Sequence, residues 1–205
     1  MIFINQLISA IIQIIILTVI PFIFYLITHR SAKGFWKWLG FTRAEKIPLK
    51  NVVAIFFGFL AVVFIPYIWL YNDGALSYTG FTIDSYKESG WSLQTIATVL
   101  VWAIIQTSLS EEIFFRGFLG KRLSHKFGWK IGTSVQAIIF GSLHIMSVWG
   151  HGILPAVIVF MLTGGIGFML GWLSMRKADE SIIYGWSIHA MVNIVSSIIV
   201  FTFLL

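Results

Sequence analysis

The chain contains no cysteine and very little charge. The first absence excludes a disulfide framework, a thiolate metal site and a cysteine nucleophile. The second excludes an ordinary soluble domain: only 11% of the 205 residues are charged, against about 25% in soluble proteins. No fixed-period repeat or low-complexity segment is present either. Hydrophobic residues fill the space instead, at 58% of the chain, and the mean hydropathy is +0.91. These values imply an integral membrane protein: an all-α, polytopic helix bundle with no separate soluble domain. The net charge of +6 would raise nucleic acid as a partner in a soluble chain. Here the basic residues sit in short loops between apolar runs, where the excess of lysine and arginine on cytoplasmic loops explains them, so no nucleic-acid partner is expected.

Six transmembrane helices are predicted. Met1 to Ile27 is apolar over a membrane-spanning length. It lacks the basic leader and small-residue cleavage site of a signal peptide, and Pro21 predicts a kink. The loop to Asn51 carries Arg30, Lys33, Lys37, Arg43, Lys46 and Lys50 against Glu45 alone, with an interfacial mixture of aromatics and bases at Gly34 to Leu39. Val52 to Tyr71 is the second span, followed by an acidic outer loop with Asp73, Asp84, Lys87 and Glu88. The third span starts near Leu93 and continues as helix to about Leu123. Ile131 to Val148, Leu154 to Leu173 and Ile182 to Leu205 complete the set. With both termini outside, every lysine and arginine except Lys87 falls on the cytoplasmic side or at its boundary. Residues 1–92 thus form two N-terminal spans with their loops, and residues 93–205 form a core of four. The glycines of Thr163-Gly164-Gly165-Ile166-Gly167 are expected to allow close helix packing.

Within these apolar runs a few polar residues stand out. Ser110-Glu111-Glu112-Ile113-Phe114-Phe115-Arg116 places two carboxylates and a guanidinium at the end of the third span, where each ionisable group needs a partner, a hydrated cavity or a function. Glu112 and Arg116 are four apart and can pair on one helix face. Glu111, about 100° away around the helix, has no charge partner nearby in sequence. The other polar groups in apolar runs are His144, below which Phe140 lies one turn away, and His189 with Asn193, which share a face. At about 1.5 Å per residue, Glu111, His144 and His189 fall in the cytoplasmic half of the bilayer or near its midplane. Each has a bland reading: Glu112 and Arg116 as a structural pair, His144 and Asn193 as interhelical hydrogen-bonding groups. His29, His125 and His151 lie in loops and are not expected to function.

Glu111-Glu112-x-x-x-Arg116, Phe140-x-x-x-His144 and His189-x-x-x-Asn193, in order and each in its own span, resemble the three motifs of the CPBP intramembrane proteases. That family includes CAAX prenyl endopeptidases and the bacteriocin-processing and immunity-associated Abi proteins. The resemblance covers Leu93 to the C-terminus and not the first two spans. It implies that Glu111 and His144 activate a water, that His189 and Asn193 stabilise the oxyanion, and that Glu112 and Arg116 support the glutamate helix. The implied substrate is a membrane-associated peptide or protein. The Ile/Phe-rich, cysteine-free composition fits a bacterial plasma-membrane protein, for which a substrate other than a prenylated one is expected.

Two versions of the chemistry stay open. Glu111, His144 and His189 are three candidate zinc ligands, yet no His-Glu-x-x-His pair organises them on one helix, and a metal-independent glutamate mechanism is equally compatible. The rival readings are a non-catalytic immunity or receptor-interacting protein that retains the fold, and a proton-coupled transporter relaying through Glu111 and His144. The second lacks any sign of inverted repeats.

Overall fold

The computed structural model describes residues 2–72, 74 and 90–203. Asp73, Asp84, Lys87 and Glu88, of the acidic loop expected on the outer side, lie outside them. Among the described residues the chain is helical with no strand: α1 (Ile2–His29), the short α2 (Phe35–Leu39), α3 (Leu49–Asn72), a long α4 (Leu93–Phe127), α5 (Trp129–His144, extended by a 3-10 turn at Ile145–Val148), α6 (Ile153–Lys177) and α7 (Ile183–Phe203). Of these, α1, α4, α5 with its 3-10 turn, and α6 are long and apolar enough to cross a membrane, and α3 and α7 contain shorter apolar helical stretches. The protein is an integral membrane helix bundle. The helix of α1 runs unbroken through Pro21, which faces inward.

Because lipid tails are as apolar as leucine, helices in a bilayer associate through close packing and interhelical hydrogen bonds rather than through water exclusion. Both devices are visible. Helix α4 is the central element, packed by α1, α5 and α7, while α5 pairs with α6, and α3 lies against α6 and α7. At the α5–α6 crossing a Cβ on Gly141 would come within 2.8 Å of the Phe160 carbonyl and 3.1 Å of Gly164. The glycine run therefore permits a backbone approach, as its composition predicts. Phe115, Phe140, Ile166, Leu170, Ile188 and Ile55 fill the interior between α3 and α7.

The basic ends of the helices meet at one end of the bundle. Ile182 donates its backbone N–H to the Gly40 carbonyl (3.0 Å), and Arg122 lies 4.2 Å from the Trp38 ring centre. Glu180 is held by Lys121 at 3.0 Å and His125 at 2.6 Å. Partial burial of Glu180 works to raise its carboxyl, but the hydrogen bonds from His125 and Lys121 outweigh it, so the group lies below the usual glutamate value.

Helix α4 departs from the simple α-helix that the sequence predicts. It begins as α-helix at Leu93–Leu100, is π-helical over Val101–Leu109 and again over Glu112–Gly120, and ends as α-helix at Lys121–Phe127. Hydroxyls in the first π stretch bond five residues back: Thr107 Oγ1 donates to the Trp102 carbonyl (2.9 Å) and Ser108 Oγ to the Ala103 carbonyl (2.5 Å). The Ile104 carbonyl accepts from the Trp186 indole N–H at 2.8 Å. Such wide turns concentrate at functional sites, and here only Ser110 and Glu111 separate the two stretches.

Candidate active site

Glu111 and Glu112 sit at that seam and face His189 on α7. The His189 ring bridges them: Nδ1 lies 3.3 Å from Glu112 Oε1, and Nε2 lies 3.8 Å from Glu111 Oε2. Glu112 Oε1 also meets Arg116 Nη1 at 3.0 Å, with both side chains fully buried. That approach is ionic and off the N–H axis, since the guanidinium nitrogens make no aligned hydrogen bond within the protein. Instead the Arg116 guanidinium lies 4.4 Å from the Phe140 ring centre, a cation–π contact strengthened by the absence of competing solvent. Arg116 therefore neutralises Glu112, and Glu112 orients His189. Glu111 is left with a side chain 15% exposed and an Oε2 without a hydrogen-bond partner in the protein.

Phe140 ties α5 to this group. Its ring centre lies 4.4 Å from that of His144 and 6.2 Å from that of His189. His144 Nδ1 is 2.8 Å from the Phe140 carbonyl, so Nδ1 is the nitrogen placed to donate, and Nε2 carries the lone pair of the neutral ring. Asn193, one turn beyond His189, donates its amide to Thr107 Oγ1 (2.9 Å) and Ser108 Oγ (3.3 Å). The structure thus brings Glu111, Glu112, Arg116 and His189 into one contact group. His144 is joined to it through Phe140, and Asn193 contacts the π-helical hydroxyls of α4.

The three candidate zinc ligands do not form a metal cradle in this arrangement. Among the described residues no three His, Asp or Glu side chains converge on a common point. His189 turns Nδ1 to Glu112 and His144 turns Nδ1 to a carbonyl, so in each ring Nε2 is the nitrogen left for a ligand. As placed, the three side chains do not converge as a three-ligand zinc site requires.

The close approach of α7 to α4 depends on Gly185. A Cβ at that position would lie 2.7 Å from Glu112 Oε2, and this carboxylate cannot swing away without releasing Arg116 or His189. Alanine improves helix propensity by up to about 1 kcal/mol over glycine, whereas overpacking costs about 1–3 kcal/mol. Gly185→Ala should therefore lower the melting temperature in detergent. Gly165→Ala, with nothing within 4 Å of its Cβ, should leave it unchanged or raise it. Equal melting temperatures for wild type and Gly185→Ala would contradict this packing.

Polar residues that the motifs do not include also lie between α1 and α4, and one of them, Gln13, reaches the seam. Gln6, Gln13 and Gln106 join α1 to α4, and Ser110 accepts a hydrogen bond from Gln13 at 3.1 Å. The signal was available in the sequence, since glutamines at 6 and 13 in an otherwise apolar span carry the same cost that singles out Glu111. Gly185 carried no such signal.

The model of the Rce1-like family, described as type II CAAX prenyl endopeptidases, matches residues 91–195. No curated protein and no solved structure gives a significant match. The matched region is half of the chain and contains the whole contact group. The chain belongs to the Rce1-like family of membrane-embedded peptidases.

Proposed function

We propose, from its membership in the Rce1-like family, that the protein cleaves a membrane-associated peptide or protein with a water activated by Glu111 and His144. The observation that carries this reading is the unequal environment of the two glutamates. Glu112 is fully buried, 3.0 Å from Arg116 and 3.3 Å from His189, while Glu111, the next residue, is 15% exposed and its ion-pair contact is the longer one, 3.8 Å to His189. Two adjacent carboxylates whose surroundings differ in this way are suited to separate acid–base roles.

In this reading Glu111 takes a proton from the attacking water, and the lone pair on His144 Nε2 accepts the water's other hydrogen and aims it. The His189 ring, held at Nδ1 by Glu112, donates from Nε2 to the developing oxyanion when it is protonated. Asn193 supplies a second donor by exchanging its longer bond, 3.3 Å to Ser108, for the oxyanion. Donors fixed in a water-poor site need little reorganisation as charge develops, which is where such contacts have most effect. Collapse of the tetrahedral intermediate passes the proton held by Glu111 to the leaving amine. Atoms balance as hydrolysis: one peptide bond and one water give a carboxylic acid and an amine, which exchange a proton to leave a carboxylate and an ammonium.

We further propose six crossings, with the basic loops in the cytoplasm and the site reached from the membrane or its cytoplasmic surface. The parallel contacts of α1 with α4, from Gln6–Gln106 through Phe24–Phe118, and the gathering of basic helix ends at one end of the bundle support it. The test is a cleavage assay in sealed vesicles with membrane-anchored peptides. Peptides offered on the face exposing the basic loops should be cut at an internal bond, and peptides on the other face should stay intact. No cleavage from either face would favour a binding protein that retains the fold.

A further inference from the structure

Helix α1 lies outside the family-matched region, and its buried stripe contains Gln6, Ala10, Pro21 and Tyr25. Gln13 falls on the same stripe, two turns beyond Gln6. Both glutamines engage α4, but at different places. Gln6 bonds the side chain of Gln106. Gln13 Nε2 donates to the backbone carbonyl of Gln106 (2.9 Å) and to Ser110 Oγ (3.1 Å), while Gln13 Oε1 accepts from Gln106 Nε2 at 3.2 Å. Ser110 Oγ in turn donates to the Gln106 carbonyl. Gln13 therefore grips α4 at the carbonyl one turn before the seam and at the seam residue itself, next to Glu111.

That seam is where the wide turn of α4 resets, and the direction of the Glu111 side chain depends on the register there. A polar clamp at membrane depth has strong consequences, because an alternative register would leave an amide and a hydroxyl unpaired in hydrocarbon. We propose that Gln13 is a positioning residue for Glu111: α1 clamps the π-helical seam of α4 and so sets where the adjacent carboxylate points. This rests on the reading of Glu111 as the base, and it assigns to a helix outside the matched region a share in building the site. Gln6, bonded to the same partner but only through its side chain, provides the control.

In the vesicle assay, Gln13→Leu should lower kcat about tenfold or more, as misplacing a reacting group by a fraction of an ångström does, with KM within about twofold of wild type. Gln6→Leu should show a similar fall in melting temperature but keep kcat. Ser110→Ala, which removes one acceptor and leaves Gln13 bonded to Gln106, should lower kcat in the same direction and serves if Gln13→Leu does not fold. The 13C resonance of a labelled Glu111 carboxyl should move in Gln13→Leu and Ser110→Ala and stay in Gln6→Leu. This resonance decides the positioning role even if wild type cuts nothing, an outcome that would overturn the protease reading separately. Wild-type kcat and an unmoved resonance in Gln13→Leu, or equal losses of kcat in the Gln13 and Gln6 variants, would overturn the proposal.

Discussion

Glu111→Gln should fold, reach the membrane and lose at least about a hundredfold in cleavage rate. Glutamine keeps the volume and the hydrogen-bonding reach of the glutamate and removes only the base. Nothing in the packing should resist it, because Glu111 makes no salt bridge shorter than its 3.8 Å contact with His189, and its Oε2 has no hydrogen-bond partner in the protein. Melting temperature and rate are measured on the same preparation. A large rate loss with an unchanged melting temperature assigns the chemistry to this carboxylate, whereas a full rate would move the base elsewhere.

Glu112→Gln, one residue away, should behave differently. The Glu112 side chain is fully buried and its Oε1 holds both Arg116 and His189. Removing its charge leaves the buried guanidinium uncompensated, an effect that costs about 3–5 kcal/mol where one partner of a buried pair is deleted. The same substitution releases His189 from its orienting partner. Thermal stability and activity should therefore fall together, with the drop in melting temperature as the distinguishing sign. The contrast between adjacent glutamates tests their division of roles: one carboxylate does chemistry and the other holds the group together. Equal melting temperatures for the two variants would contradict that division.

Much of this site is legible in the sequence because the bilayer makes polarity conspicuous. Glu111, Glu112, Arg116, His144, His189 and Asn193 stand out in apolar runs, and the four-residue spacing of Glu112 and Arg116 yields the observed pair. Helix identity is equally readable from long apolar runs between basic loops. The partner of His189 was harder to foresee. Contacts with both glutamates depend on how α7 crosses α4, where Gly185 leaves room for the Glu112 carboxylate, a fit that no periodicity encodes. The π-helical turns of α4 were also hidden, because hydroxyls at Thr107 and Ser108 suit an α-helix as well and reveal the wider turn only by the carbonyls they reach. The zinc alternative turns on convergence in space, which spacing along the chain does not give.

The central claim is that a water activated at Glu111 hydrolyses an internal peptide bond. Its most direct test is mass spectrometry of products from membrane-anchored peptides incubated with the reconstituted protein in H2 18O. The account predicts that wild type releases fragments with one 18O atom in each new C-terminal carboxylate, and that Glu111→Gln in the same vesicles leaves the peptides intact. Intact peptides with wild type, or the same labelled fragments at the same rate from both proteins, would contradict it.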